Sequence, residues 1–108
     1  MAKAQIVIGE LGGGDSQLDY TTMTAGGGTW VSVTCGFQPK VIFFSYTNNN
    51  VVYIHKYDLV NNTCMRKYSG NNEETSKNDW IGTVIDAIPN GMKFKFTTSS
   101  EVAVVFVG

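Results

Sequence analysis

Apolar residues in this chain recur at every second position, in short runs that Asn or Gly soon interrupts. Met92-Lys93-Phe94-Lys95-Phe96-Thr97 alternates strictly and follows directly on Pro89-Asn90-Gly91. A period of two is the side-chain period of a strand, so Met92, Phe94 and Phe96 face inward while Lys93, Lys95 and Thr97 face water. Asn-Gly is a strong hairpin signal. Trp30-Val31-Ser32-Val33-Thr34-Cys35 repeats the pattern, with Val31, Val33 and Cys35 on one face. No window carries the 3.6-residue period of a helix, which leaves an all-β chain.

The remaining segments fit that class. Gln5–Glu10 reads as a short first strand, and Leu11-Gly12-Gly13-Gly14-Asp15 as a flexible joint. Ser16 to Ala25 is polar, a weak strand or an extended arm, and Gly26-Gly27-Gly28 closes it. Between Cys35 and Val41 the chain passes through Gly36 and Pro39. Proline has no amide hydrogen for a ladder, so a corner between two strands is expected there. Val41–Tyr46 is apolar on both faces, which predicts a central strand. Asn48-Asn49-Asn50 turns the chain into Val51–Asp58, and Asn61-Asn62 turns it again into a weaker strand, Thr63–Tyr68. Ser69–Asp79 reads as a surface loop, and Trp80–Ile85 regains strand character. Val102–Val107 is apolar on both faces, so it lies inside a sheet or under a partner. Short strands punctuated this way predict an antiparallel two-sheet β-sandwich of about six to eight strands with a Gly-jointed N-terminal segment.

A length of 108 residues accommodates one core. Residues 29–108 are assigned to the sandwich. Residues 1–28 are assigned to an N-terminal strand and Gly-rich arm that can dock on another subunit, with Ile6, Val7 and Ile8 the candidate assembly residues. On that reading, deleting residues 1–28 leaves a folded domain that no longer assembles. Charged residues make up 16% of the chain against an ordinary share of about 25%, and the net charge is −1. Such a surface offers no field for nucleic acid or anionic lipid. No run approaches the ~18 apolar residues of a membrane span, and the N-terminus has no signal-peptide apolar region. Synthesis in the cytoplasm without a signal peptide is expected. Cys35 and Cys64 lie in apolar runs and read as free buried thiols.

Residues that carry chemistry are sparse. His55 is the single histidine and shares a strand face with Val51, Tyr53 and Tyr57, so it reads as a half-buried strand residue. Glu73, Glu74 and Asp79 do not follow a calcium-loop spacing, and Gly9–Gly14 lacks the Lys and hydroxyl of a phosphate loop. Neither an enzyme activity, a metal nor a cofactor is expected. The aromatics are more informative. Tyr46, Tyr53, Tyr57, Tyr68 and Trp80 stand near polar loops, where rings stack on sugar C–H faces while amides and carboxylates bind hydroxyls. Trp80 and Tyr57 are the first candidates for glycan contact, with Tyr53 and Asp79 beside them.

The corner also carries a family resemblance. Val31-Ser32-Val33-Thr34-Cys35-Gly36-Phe37-Gln38-Pro39-Lys40-Val41-Ile42-Phe43 resembles the "t-V-t-x-G-F-x-P-k-x-V" signature of small structural proteins of tailed phages and prophages. Asn90-Gly91-Met92-Lys93-Phe94 resembles their "n-G-F-x-v", with Met92 where Phe is usual, and the chain end resembles "y-x-a-i-G". Residues 29–108 are covered. The resemblance implies a non-enzymatic virion component of tail, baseplate or fibre type, or a capsid-attached module, made in the bacterial host cytoplasm. Its implied partners are itself, as a homo-oligomer with a trimer first among the closed forms, and other virion proteins. The layout is similar, more distantly, to H-type lectin domains, which implies as an alternative a carbohydrate-binding module for a bacterial surface glycan.

Overall fold

The computed structural model describes residues 4–8 and 16–108, residues 4–8 and Ser16 as backbone alone. It is a two-sheet antiparallel β-sandwich. The larger sheet runs β1 (Ala4–Ile8), β2 (Ser16–Ala25), β10 (Ser100–Val107), β4 (Val41–Asn48), β5 (Val51–Asp58), β6 (Thr63–Tyr68), β7 (Asn71–Ser76). The smaller runs β3 (Val31–Thr34), β9 (Gly91–Phe94), β8 (Ile85–Ile88). A 3-10 turn, η1 (Asn78–Trp80), precedes β8. Among the described residues no helix is long and apolar enough to cross a membrane.

The glycine and proline signals mark where the chain changes sheets. Gly26–Gly28 carries it from β2 in the larger sheet to β3 in the smaller, with the Gly28 N–H donating to the Phe96 carbonyl at 2.9 Å. Gly36–Pro39 is the expected corner and returns it from β3 to β4. Within the larger sheet, Asn49 (φ 51°) and Asn50 (φ 63°) form the two-residue turn between β4 and β5. Two consecutive positive φ angles give the twist that suits a hairpin, and Asn tolerates them.

Alternation decides what is buried. Ile42 and Phe44 of β4, Tyr57 of β5, and Val102, Val104 and Phe106 of β10 point at the smaller sheet, which supplies Met92 and Phe94. All of these are at most 1% exposed. Phe94 packs edge-on to Phe44, with ring centroids 5.2 Å apart. Both cysteines are buried, and no disulfide joins them.

Residues 16–25 take the strand alternative, and two other segments differ from the sequence expectation. Residues 16–25 form β2, an inner strand paired from Leu18↔Val107 to Ala25↔Ser100 with β10. Its alternation is masked because Asp19 and Thr21 occupy buried positions. The segment therefore belongs to the same sheet as the body. β1 pairs with β2 in the same chain, Ile6 opposite Leu18, and the side chains of Ile6, Val7 and Ile8 lie outside the described residues. The loop expected at Ser69–Asp79 contains β7, an edge strand whose residues after Asn71 are all exposed. Such a strand is held by its backbone ladder to β6, so it shows no hydrophobic period. Of Trp80–Ile85, Gly82–Val84 form a turn, and only Ile85 enters a strand, at the start of β8. Gly82 takes φ 86°, and the Thr83 hydroxyl donates to the carbonyl of Asp79 at 2.8 Å. Local hydrogen bonding of this kind competes with a ladder.

Candidate functional site

Two surfaces stand out, one on each face of the larger sheet. The inner face outgrows the smaller sheet, and its uncovered end is paved with rings. Cross-strand pairing sets Tyr46 opposite Tyr53 and Tyr53 opposite Tyr68. The centroids are 5.4 and 5.6 Å apart, and Tyr46 lies 5.4 Å from Phe96. Tyr46, Tyr53, Tyr68 and Trp80 are each half-buried, so part of each side chain stays accessible. Trp80 is brought there by η1, which is stitched to β6. The Asn78 side-chain oxygen accepts from the Cys64 N–H at 2.7 Å, and the Lys77 N–H donates to the Cys64 carbonyl at 2.8 Å. At the Tyr46–Trp80 end a cleft of about 230 Å³ opens, rimmed by Asn48, Lys95, Thr97, Thr98 and Ser100.

His55 lies beneath this platform. It is fully buried rather than half-buried, stacked between Phe44 at 4.6 Å and Trp80 at 4.7 Å. Neither ring nitrogen has a hydrogen-bond partner. Burial drives its pKa down to about 3, and the nearby Arg66 and Lys77 cations push the same way. A neutral imidazole with no route to solvent offers no acid–base chemistry. Burial likewise raises the Tyr46 hydroxyl to about 12, with Arg66 opposing. Among the described residues no three His, Cys, Asp or Glu side chains converge as metal ligands would.

The four residues singled out for glycan contact separate. Trp80 and Tyr53 belong to the platform, each half-buried. Asp79 is exposed beside Trp80 on η1. Tyr57 is a core residue, 1% exposed, and presents no ring face to a ligand. It alternates in phase with Tyr53, but lies farther under the smaller sheet. Arg66 escaped the sequence reading, although Cys64, Arg66 and Tyr68 share one strand parity and so one face. Its guanidinium carbon sits 5.4 Å from the Tyr53 ring centroid and 5.7 Å from that of Tyr68.

The outer face of the larger sheet is uncovered and apolar at its centre. Register sets Tyr20, Val105, Phe43 and Lys56 in one row and Ala103, Ser45, Ile54 and Lys67 in the next. Tyr20, Phe43 and Ile54 are 44%, 37% and 49% exposed. They wall a depression of about 250 Å³ that includes the small residues Ser45 and Ala103. Exposed charges border the patch, Lys56 and Lys67 on β5 and β6, and Glu101 on β10.

No family model, no curated protein and no solved structure matches this chain. The fold is thus that of a two-sheet β-sandwich, with an aromatic platform inside and an apolar face outside.

Proposed function

We propose that the protein is a non-enzymatic structural module of a phage particle that works as a homo-oligomer. The observation that carries this reading is the uncovered outer face. A contiguous set of exposed Tyr, Phe and Ile side chains on a sheet is the kind of surface a soluble chain normally covers. The occupant is a second copy of the chain. Lys56 and Lys67 lie at the β5–β6 rim of the patch beside Glu74, and Glu101 lies at its β10 strand end, so Lys67 of one copy is set against Glu101 of the next. A closed ring of identical subunits needs two different surfaces of each copy to be complementary, and a trimer is a simple ring of that kind. The likeness of residues 29–108 to tailed-phage structural proteins points this assembly to a virion.

Light scattering across a dilution series tests the reading. The wild type is expected to hold a multiple of the chain mass, and Ile54→Glu to run as a folded monomer with an unchanged circular dichroism spectrum. Lys67→Glu is expected to weaken assembly and Glu101→Lys in the same chain to restore it. A wild type that is monomeric at every concentration overturns the proposal.

A further inference from the structure

The turn between β5 and β6 displays an apolar side chain that the turn itself does not need. Among the large exposed hydrophobics of the described residues, Val60 is the most exposed, at 70%, and the only one off the outer face of the larger sheet. Its neighbours set the turn. The Asp58 carboxylate accepts from the Val60 and Asn61 N–H groups, both at 3.0 Å, and from the Asn61 side-chain amide at 2.9 Å. The bonds from Asn61 hold this carboxyl below the usual carboxylate range. Asn62 supplies the positive φ, 54°. Leu59 packs against the core, and its N–H donates to the Lys40 carbonyl at 2.9 Å. Asp and Asn are turn residues, whereas β-branched valine is a strand residue. Val60 thus stands on a fixed support with its side chain in water.

A recess that suits it lies at the far end of the same strands. Val60 follows the end of β5 beside the start of β4, and the cleft opens where β4 ends at Asn48 and β10 begins at Ser100. The eight residues of β4 separate the two by on the order of 23 Å. The cleft, of about 230 Å³, is walled by Tyr46, Trp80 and Val84 and rimmed by Asn48, Lys95 and Thr98. Its ring faces are taken. Trp80 stacks on His55 at 4.7 Å and holds the Lys77 ammonium 5.0 Å from its ring centroid, while Tyr46 stacks on Tyr53 and His55. Ring edges and the Val84 methyls remain, and an aliphatic side chain packs against these without needing a free face. The charges agree. Lys95 at the rim is an exposed cation, and the tip carries the Asp58 carboxylate, with three of about four acceptor sites used within the turn. We infer that the Val60 tip of one copy inserts into the Tyr46–Trp80 cleft of the next, joining copies head to tail along the strands, with Asp58 set against Lys95. A knob and a hole at opposite ends of one chain make a heterologous contact that leads from copy to copy. It leaves the outer face free, so it is a second contact beyond the one proposed above and does not depend on it. One side chain in one cleft buries far less than the roughly 800 Å² per partner of a stable interface, so the contact is weak by itself, with a Kd on the order of a millimolar. The Ile54→Glu variant accordingly stays monomeric when dilute and associates when concentrated.

Nuclear magnetic resonance of the wild type and the Ile54→Glu variant, diluted from about 1 mM to about 20 µM, tests this. The Val60 amide, the Thr98 amide and the Trp80 indole are expected to shift together along one dilution curve. In a concentrated mixture of labelled and unlabelled protein, an intermolecular nuclear Overhauser effect is expected between the Val60 methyls and the Trp80 indole. Val60→Asp is expected to weaken the contact roughly tenfold or more and so flatten the curve at Trp80, while Val60→Ile keeps it. Both variants leave the turn's hydrogen bonds in place, and an unchanged thermal melt is the check on folding. Three results would overturn the inference: no concentration-dependent shift at Trp80 in the Ile54→Glu chain, the same shifts in a folded Val60→Asp protein, or an Overhauser effect from Val60 to Val52 of the outer face in place of Trp80. Failure of the outer-face contact shows separately, as an Ile54→Glu chain with the same mass as the wild type in dilute solution.

Discussion

The backbone N–H of Asn90 donates to the side-chain oxygen of Gln38 at 2.9 Å, across 52 residues of sequence. The Cys35 N–H closes the same junction by donating to the Asn90 carbonyl at 2.8 Å. The corner that carries the chain from the smaller sheet to the larger is thereby tied to the hairpin between β8 and β9. Gly36, Gln38, Pro39, Asn90 and Gly91 meet at this one place. Their work there is architectural.

Gly91 is the tightest point of that junction. A Cβ added there would overlap the Val33 carbonyl oxygen and lie 2.8 Å from the Thr34 Cα, both backbone atoms of β3. Gly91→Ala is expected to cost roughly 2–3 kcal/mol, since β3 must move away from β9. Gln38→Ala removes the hydrogen bond from the Asn90 N–H and a longer one, 3.3 Å, from its own amide to the Pro39 carbonyl, and is expected to cost about 1 kcal/mol. Urea midpoints at constant m-value compare the two, and equal losses would mean that the close approach is not what holds the junction.

His55 predicts acid sensitivity. Its folded pKa is lowered from 6.5 to about 3, so the unfolded chain takes up a proton first as pH falls. The imidazole's contribution is complete above about pH 6.5. It is lost as pH drops towards 3, at up to about 1.4 kcal/mol per pH unit, or roughly 2 kcal/mol by pH 5. His55→Phe replaces a ring whose two nitrogens are unpartnered, so it is expected to cost little at pH 7 and to remove this part of the slope. Melting temperatures of both proteins at pH 7.5 and 5 make the comparison. A wild type that loses no more than the variant on acidification would show that His55 is not held neutral.

Truncation separates two views of the N-terminal region. The sequence pattern treats residues 1–28 as an arm that can be removed from a folded domain. In the structure that cut removes β2 and bares one whole edge of β10, whose inner side chains Val102, Val104 and Phe106 are fully buried. A chain starting at residue 29 is expected to lose cooperative thermal unfolding and to aggregate through the bared edge. A sharp melt near that of the full chain would restore the arm reading.

Cys64 is buried under the platform, and burial raises its thiol to about 11, with Lys77 opposing and Asp79 adding. At neutral pH about one molecule in ten thousand carries the reactive thiolate. Iodoacetamide is therefore expected to modify neither cysteine in the folded protein and both in urea, read by intact mass. Rapid labelling at Cys64 without denaturant would mean that η1 opens readily from β6.

The sequence by itself determined the fold class, the Asn-marked turns and the corner, because these are local properties. Alternation at Met92, Phe94 and Phe96 sets a strand face, Asn49 and Asn50 accept a positive φ, and Pro39 stops a ladder wherever the rest of the chain lies. Only the tertiary structure decided which faces are covered. Tyr53 and Tyr57 have the same parity on the same strand, yet the smaller sheet reaches one and stops short of the other. β2 and β7 carry no hydrophobic period, since one hides polar residues and the other is held by its backbone alone. The apolar outer face follows the same logic. Phe43, Ile54 and Val105 look like core residues in sequence, and a seven-stranded sheet under a three-stranded one leaves them without a layer to pack against.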